Sequence, residues 1–434
     1  MKFTEETIEK VLRILHEEVV PAQGCTEPIA IAFAAAKARE VLPHEEITQV
    51  IIHVSGNIIK NVKSVVVPNS GGMVGIEVAA VMGFMFGDAS KDLEVISTIT
   101  PEQMAQVRAF MEAATIKVIH EDTPEKLYIE VELLSEAHCG SVEIKHFHTN
   151  ITKIKRDKGV LLSQPCNDKV FNTPEEDRSI LTIELIYELA KVIPLAKIEP
   201  LMSKVITLNS KIAHEGLSGN YGINIGRVIR DQIESGFYGD DIRNRAASFA
   251  AAGSDARMSG SALPVMTTSG SGNQGMTASL ALIKYAAFRE VEREQLIRAL
   301  FFSHLSTVHI KTHVGRLSAY CGVICAAAAV SGALCFIDGH DLDTISHAIA
   351  NTLGDVSGII CDGAKSSCAM KISTTVTAAF DSYVLATHGE YMHGGDGIIA
   401  NDIEQTLAYV GKLAGEGMKE TDEVILDIMS HNYR

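Results

Sequence analysis

Strand-like sequence is confined to roughly the first third of the chain, and this asymmetry limits the fold more than any other feature. "ITQVIIHVSG", "KSVVVP", "TIKVIHE", "KLYIEVELLS" and "SVEIKHFHTN" alternate or are β-branched, and helical "GMVGIEVAAVMGFMFG" and "PEQMAQVRAFMEAA" lie between them. Before them, residues 5 to 20 read as a helix. A second helix runs from Thr26, its expected N-cap, to about Leu42, with Pro28 in the tolerant first turn. From about Ser179 onward nearly every stretch has helical spacing, as in "ILTIELIYELAKVI" and "LDTISHAIANTLGDVSG". The expected class is α+β: an N-terminal mixed α/β domain over 1–155, a polar, proline-containing linker over 156–178, and a larger all-helical domain over 179–434. At roughly 150 residues per domain, a length of 434 suggests two or three domains, and two is the first expectation.

Composition excludes several function classes. With 46% apolar and 21% charged residues the chain can bury a sizeable core. Its net charge of −16 repels phosphate backbones and anionic headgroups, so neither nucleic acid nor a membrane is expected as partner, and a small solute is. The N-terminal "MKFTEETIEKVLRILHEEVV" mixes acids and bases along an amphipathic helix, unlike a signal peptide, so a cytoplasmic location is expected. "ICAAAAVSGALCFI" is shorter than the roughly 18 residues that span a bilayer. In a reducing compartment the eight cysteines are expected free, catalytic or metal-bound.

Three of these cysteines stand out. Cys321 lies in "RLSAYCGVIC", and Cys361 and Cys368 bracket "CDGAKSSC", a C-x39-C-x6-C pattern. Thiolates are soft ligands, and three of them on a four-iron cluster leave one iron open to substrate. The competing reading is packing, because free cysteine buries as a small hydrophobe and this spacing matches no general ferredoxin or zinc finger. Cys325, one turn beyond Cys321, is a substitute ligand, while Cys335, Cys139 and Cys166 read as packing residues.

Other motifs carry less. "GSGNQG" at 270–275 fits G-x-G-x-x-G, but "REVEREQLIRALF" is a helix where a dinucleotide fold needs a strand and an acid. What remains is a helix mouth whose amides, with Gly272, Asn273 and Gly275, can grip a carboxylate. "PNSGG" offers a second such loop at Asn69, Ser70, Gly71 and Gly72. "HIKTH" lacks the glutamate of a zinc protease. Lys311, His313 and Arg316 precede Cys321 and can place positive charge near a substrate carboxylate, and Thr387 and His388 belong to a loop that can reach a site. Lys365 has no pyridoxal phosphate context.

"GCTEP", "VVVPNSGG", "TTSGSGNQG", "SAYCG" and "GIICDGAKSSCAMK" together resemble the L-cysteine desulfidase family, which is related to iron–sulfur L-serine dehydratases. The likeness runs from residue 21 to about 395 and implies a serine-dehydratase-like fold. It implies a [4Fe-4S] cluster held by Cys321, Cys361 and Cys368, with the Asn273 loop on the substrate side. Where serine dehydratases have a Ser-Ser-Ser-His-Thr run, this chain has Gly24, Cys25, Thr26 and Glu27, which favours the desulfidase branch.

The expected activity is therefore a carbon–sulfur lyase: α,β-elimination of L-cysteine to sulfide, ammonia and pyruvate without pyridoxal phosphate. Cys25 is expected as a catalytic thiol, its pKa lowered by the helix N-terminus, acting as Cα base or as fourth cluster ligand at rest. Thr26 and Glu27 are expected to line the substrate site. An L-serine dehydratase and a non-enzymatic cluster or cysteine sensor are the alternatives, and a homo-oligomer is expected.

Overall fold

A computed structural model describes residues 3–123, 125–164, 176–315 and 318–431. It has the expected class, a mixed sheet with helices followed by a largely helical region. The sheet contains β2 (Gln49–Ser55), β3 (Thr115–Glu121), β4 (Tyr128–Leu134), β5 (Cys139–Lys145), β6 (Ile151–Arg156) and β7 (Gly159–Ser163), in the order β3-β2-β4-β5-β6-β7. Only the β2–β3 pair is parallel, and it is bridged by α3 (Gly56–Val62), α4 (Ile76–Phe86) and α5 (Pro101–Ala113). Alternation sets the register. Ile52 pairs with Val131, which pairs with Val142, and all three are buried on the face covered by α2 (Thr26–Glu40) and α4.

Three details depart from expectation. "KSVVVP" is no strand: among its residues only Val66 forms an isolated bridge, to Val74. β7 occupies 159–163 inside the expected linker, because "RDKG" closes a hairpin with Asp157 in the left-handed region. The N-cap of α2 is Cys25 rather than Thr26.

The second unit contains α6 (Ile183–Val192), α7 (Leu195–Ser218), α8 (Ile225–Glu234), α9 (Ile242–Met258), α10 (Gly272–Phe288), α11 (Arg293–Val314), α12 (Gly322–Ile337), α13 (Leu342–Val356), α14 (Cys368–Thr387), α15 (Ile403–Lys412) and α16 (Lys419–His431). α12 runs through its centre, buried from Val323 to Ile337 and packed by α10, α11, α13 and α14. No helix among the described residues is long and apolar enough to cross a membrane.

The two units exchange their ends. α1 (Glu5–Glu18) buries Val11, Ile14 and Leu15 in the helical core, although the sequence pattern groups it with residues 1–155. β1 (Pro21–Gln23) pairs with β8 (Pro264–Met266). In the opposite direction, α16 lies on α3, where Asp422 pairs with the buried Lys60 ammonium and the Met429 carbonyl accepts a hydrogen bond from Lys63.

Candidate active site

Backbone pairing explains the 39-residue gap between the first two cysteines of the trio. Tyr320 bridges Ile360 antiparallel, the Cys321 amide donates to the Ile359 carbonyl (3.2 Å), and the Cys361 amide donates to Ala319 (2.5 Å). Because side chains alternate across such a pair, Cys321 and Cys361 share one face as diagonal neighbours. Cys368 enters from the first turn of α14, and its thiol lies 3.6 Å from the Gly363 carbonyl. The intervening loop is fixed by Asp362, which pairs with both Lys365 and Lys371. Gly363 (φ +96°) brings this loop onto the first unit, since a Cβ there would stand 2.1 Å from the Lys60 carbonyl oxygen.

Cys25 reaches the same place from the other unit. It packs with Val65 and Met258, and Cys368 and Ala364 complete the cluster. Its thiol donates to Glu27 Oε2 (3.1 Å). Burial pushes this thiol well up and the Glu27 charge adds to the shift; the Arg257 charge and the Glu27 amide at the helix start pull the other way and are outweighed, so the net shift is opposite to the lowering expected from the sequence. Glu27 also accepts from Thr26 Oγ1 and, on Oε1, from Asn61 Nδ2, each at 3.1 Å. Burial opposes its charge. His148, the Cys25 hydrogen bond and Arg257 outweigh that penalty and hold the carboxyl below its usual range.

Arg257 is 3% exposed, and its Nε has no hydrogen-bond partner among the described residues. Its charge acts on Cys25, Glu27 and Cys368. It lies flat against the mouth of α10, where a Cβ on Gly272 would come within 2.4 Å of Nε. Gln274 is also buried with its Oε1 unpartnered, and its amide packs where a Cβ of Gly322 would be. On the far side Lys311 is buried beside Cys325, Cys361 and Cys321, and burial lowers its pKa against the pull of those thiols.

Other expected site residues have different surroundings. Asn69 donates to the Ile96 carbonyl (3.0 Å), Ser70 turns back to the Met73 carbonyl (3.0 Å), and Gly71 and Gly72 are exposed, so the two side chains of this loop are already engaged within the protein. Asn273 accepts from Ser254 (3.2 Å) and donates to the Met258 sulfur (3.6 Å), while Gly275 packs on the Met266 carbonyl. Thr387 and His388 bond back to Val384 at the end of α14 opposite Cys368, about 28 Å away at 1.5 Å per residue. His313 lies on the side of α11 away from the thiols, against Glu404. Arg316 and Cys166 lie outside the described residues. Cys325 and Cys335 are fully buried, and burial lifts the Cys325 thiol to about 11.

Sequence reading missed Arg257, Gln274, Asn61 and His148. A signal existed for the first: "AASFAAAGSDARM" is a helix of small residues, and an arginine in a helix buried all round needs an anionic neighbour.

The donor set fits a cluster better than a single ion. The one trio of His, Cys, Asp or Glu ligand atoms within 4.8 Å of one another among the described residues lies elsewhere, so the three sulfurs stand wider than ligands of one tetrahedral zinc. Burial pushes Cys321 and Cys368 upward, and Cys361 raises both further. Such thiols ionise together only around a strongly positive centre, with Lys371 and Arg257 nearby to offset the remaining negative charge.

Comparison with known proteins gives the same direction. The serine dehydratase alpha chain family matches residues 90–427. The chain belongs to that family. It is also 56% identical to a UPF0597 protein of Fusobacterium nucleatum over 98% of this chain and 100% of the relative. UPF0597 proteins of Desulfitobacterium hafniense (45%; 96% of each chain) and Treponema denticola (40%; 99% of each) are similar along their full lengths. Membership in the serine dehydratase alpha chain family indicates a lyase-type enzyme and suggests an iron–sulfur cluster, and buried cysteines are present to hold one.

Proposed function

We propose that this protein is an L-cysteine desulfidase that eliminates sulfide and ammonia from L-cysteine to leave pyruvate. The observation carrying this reading is the convergence of Cys321, Cys361 and Cys368 on a pocket that also receives Cys25 and Glu27. These three cysteines would hold a [4Fe-4S] cluster, which when bound supplies a Lewis-acidic iron for the leaving sulfur.

The remaining work falls to this chain's side chains. Arg257, with a free Nε–H at the mouth of α10, receives the substrate carboxylate, and the α10 helix dipole adds to the attraction. Gln274 offers its carbonyl oxygen to the substrate ammonium. Cys25 and Glu27 handle the proton. The Cα proton passes to the Cys25 sulfur as the thiol proton passes to Glu27, so no free thiolate forms in the buried site, and Glu27 then returns the proton to the departing sulfide. Asn61 and His148 hold Glu27 in place and ionised between turnovers. The enclosing walls exclude water until aminoacrylate leaves, tautomerises and hydrolyses.

The family description favours a second reading, L-serine dehydration at the same pocket. Anaerobic cluster reconstitution, iron and sulfide counting, and pyruvate release from each amino acid separate the two. The desulfidase reading requires a higher kcat/KM for L-cysteine than for L-serine and loss of turnover in Cys25→Ala. Faster L-serine turnover overturns it, and a fully loaded protein inert to both points to a sensor.

A further inference from the structure

"HIKTH" places His309 and His313 one turn apart on α11, while Lys311, on the intervening side, faces the thiols. The imidazole side meets α15. There His309 Nε2 lies 2.7 Å from Glu404 Oε2, and the His313 ring stands edge-on to His309 with centroids 5.2 Å apart. One ligand atom from each of His309, His313 and Glu404 lies within 4.8 Å of the other two.

We propose that His309, His313 and Glu404 form a mononuclear site for a divalent first-row metal ion of the zinc type, separate from the thiol pocket. Two imidazoles and one carboxylate are a donor set that zinc and its neighbours accept, and three protein ligands leave a position for water. Neighbouring ligands of a four-coordinate ion stand about 3.4 Å apart when its bonds are about 2.0–2.2 Å, so the His309–Glu404 pair, now 2.7 Å apart, opens by less than about 1 Å to admit the ion. The ion takes the place of the proton between them, which leaves to solvent. His313 is exposed and supplies the third nitrogen from the outer side.

Two further features favour an ion over a plain His–Glu hydrogen bond. The second carboxylate oxygen, Oε1, accepts the Ile183 amide at the start of α6 (2.8 Å), the outer hydrogen bond that orients a metal-binding carboxylate. Glu404 also lines a cavity of about 440 Å³ shared with His347 and His393, which gives an ion a path from solvent. A bound ion would tie α6 and α15 to α11, the helix that carries Lys311.

The test is an anaerobic Co²⁺ titration of the full-length, cluster-loaded protein, read as a difference absorption spectrum and repeated with Zn²⁺ as competitor. One equivalent of Co²⁺ should give visible ligand-field bands without sulfur-to-cobalt charge transfer, and Zn²⁺ should abolish them. His313→Ala and Glu404→Gln should lose the bands, and His313→Asp, which restores an oxygen ligand, should recover them. Absence of bands, bands with thiolate charge transfer, or bands unchanged in His313→Ala overturns the proposal. His313 is at the surface, so its variants test the site even if Glu404→Gln fails to fold.

Discussion

The two sides of α11 hold buried ionisable groups in opposite settings. Lys311 faces a closed pocket of thiols assembled from both units, whereas His309 and His313 face one carboxylate beside an open cavity. On the closed side each charge depends on several partners. The Arg257 charge acts on Cys25, Glu27 and Cys368 together, and Glu27 acts on Cys25, so removing the arginine or the carboxylate strands its neighbours in a medium that penalises bare charge. The open side can exchange its proton or ion with water at small cost. On the reading proposed above, catalytic consequence belongs to the first side and tolerance to the second.

The sharpest way to break this contrast is Cys361→Ser set against His313→Ala. The first should lose cluster iron and lower pyruvate release by more than about 10³-fold, roughly 4 kcal/mol of transition-state stabilisation. The second should change kcat by less than about twofold at saturating substrate, and equal losses would dissolve the distinction. Arg257→Met should lower kcat/KM by about 10²-fold, the scale of a lost charge-assisted hydrogen bond, chiefly through KM, and Arg257→Lys should recover only part.

A stability measurement tests the cost of burial near the pocket. Asp255, two residues before Arg257, is fully buried, and burial lifts its carboxyl to about 6 despite bonds from the Gly226 and Ile225 amides. Its unfolded value is near 3.9, so its favourable contribution is complete below about pH 4 and is lost as pH rises through 6. Asp255→Asn should flatten stability across pH 4–6 and gain about 2–3 kcal/mol at pH 7, read from denaturant midpoints. The smallest expected effect is on thiol reactivity. Because the Glu27 charge raises Cys25, Glu27→Gln should speed iodoacetamide labelling of Cys25 several-fold at pH 8 in cluster-free protein.

Much of the fold was legible because local period decides it. Val50, Ile52 and Val54 alternate onto one face of β2, while the strand set departed where "KSVVVP" formed no strand and where β6 and the hairpin strand of "RDKGVLLS" went unread. The crossing of α1 into the helical core was not legible, since an amphipathic helix does not say which core it will join. Within the pocket, the cysteines and Glu27 were visible as unusual residues in small-residue surroundings. Glycine pattern could not report that the Asn69 and Ser70 side chains of "PNSGG" are engaged at Ile96 and Met73, and the same kind of pattern concealed Gln274 in "GSGNQG". Arg257 and His148 matter through neighbours more than 100 positions away in the chain, which periodicity cannot report.

The crossing of the two units makes one wall depend on the other. α16, the last helix among the described residues, covers α3, whose Lys60 backbone supports the loop bearing Cys361 and Cys368. On the reading proposed above, removing residues 419–434 would keep all three cysteines yet strip the backing from the loop beneath them, with the Lys60 ammonium left buried without Asp422.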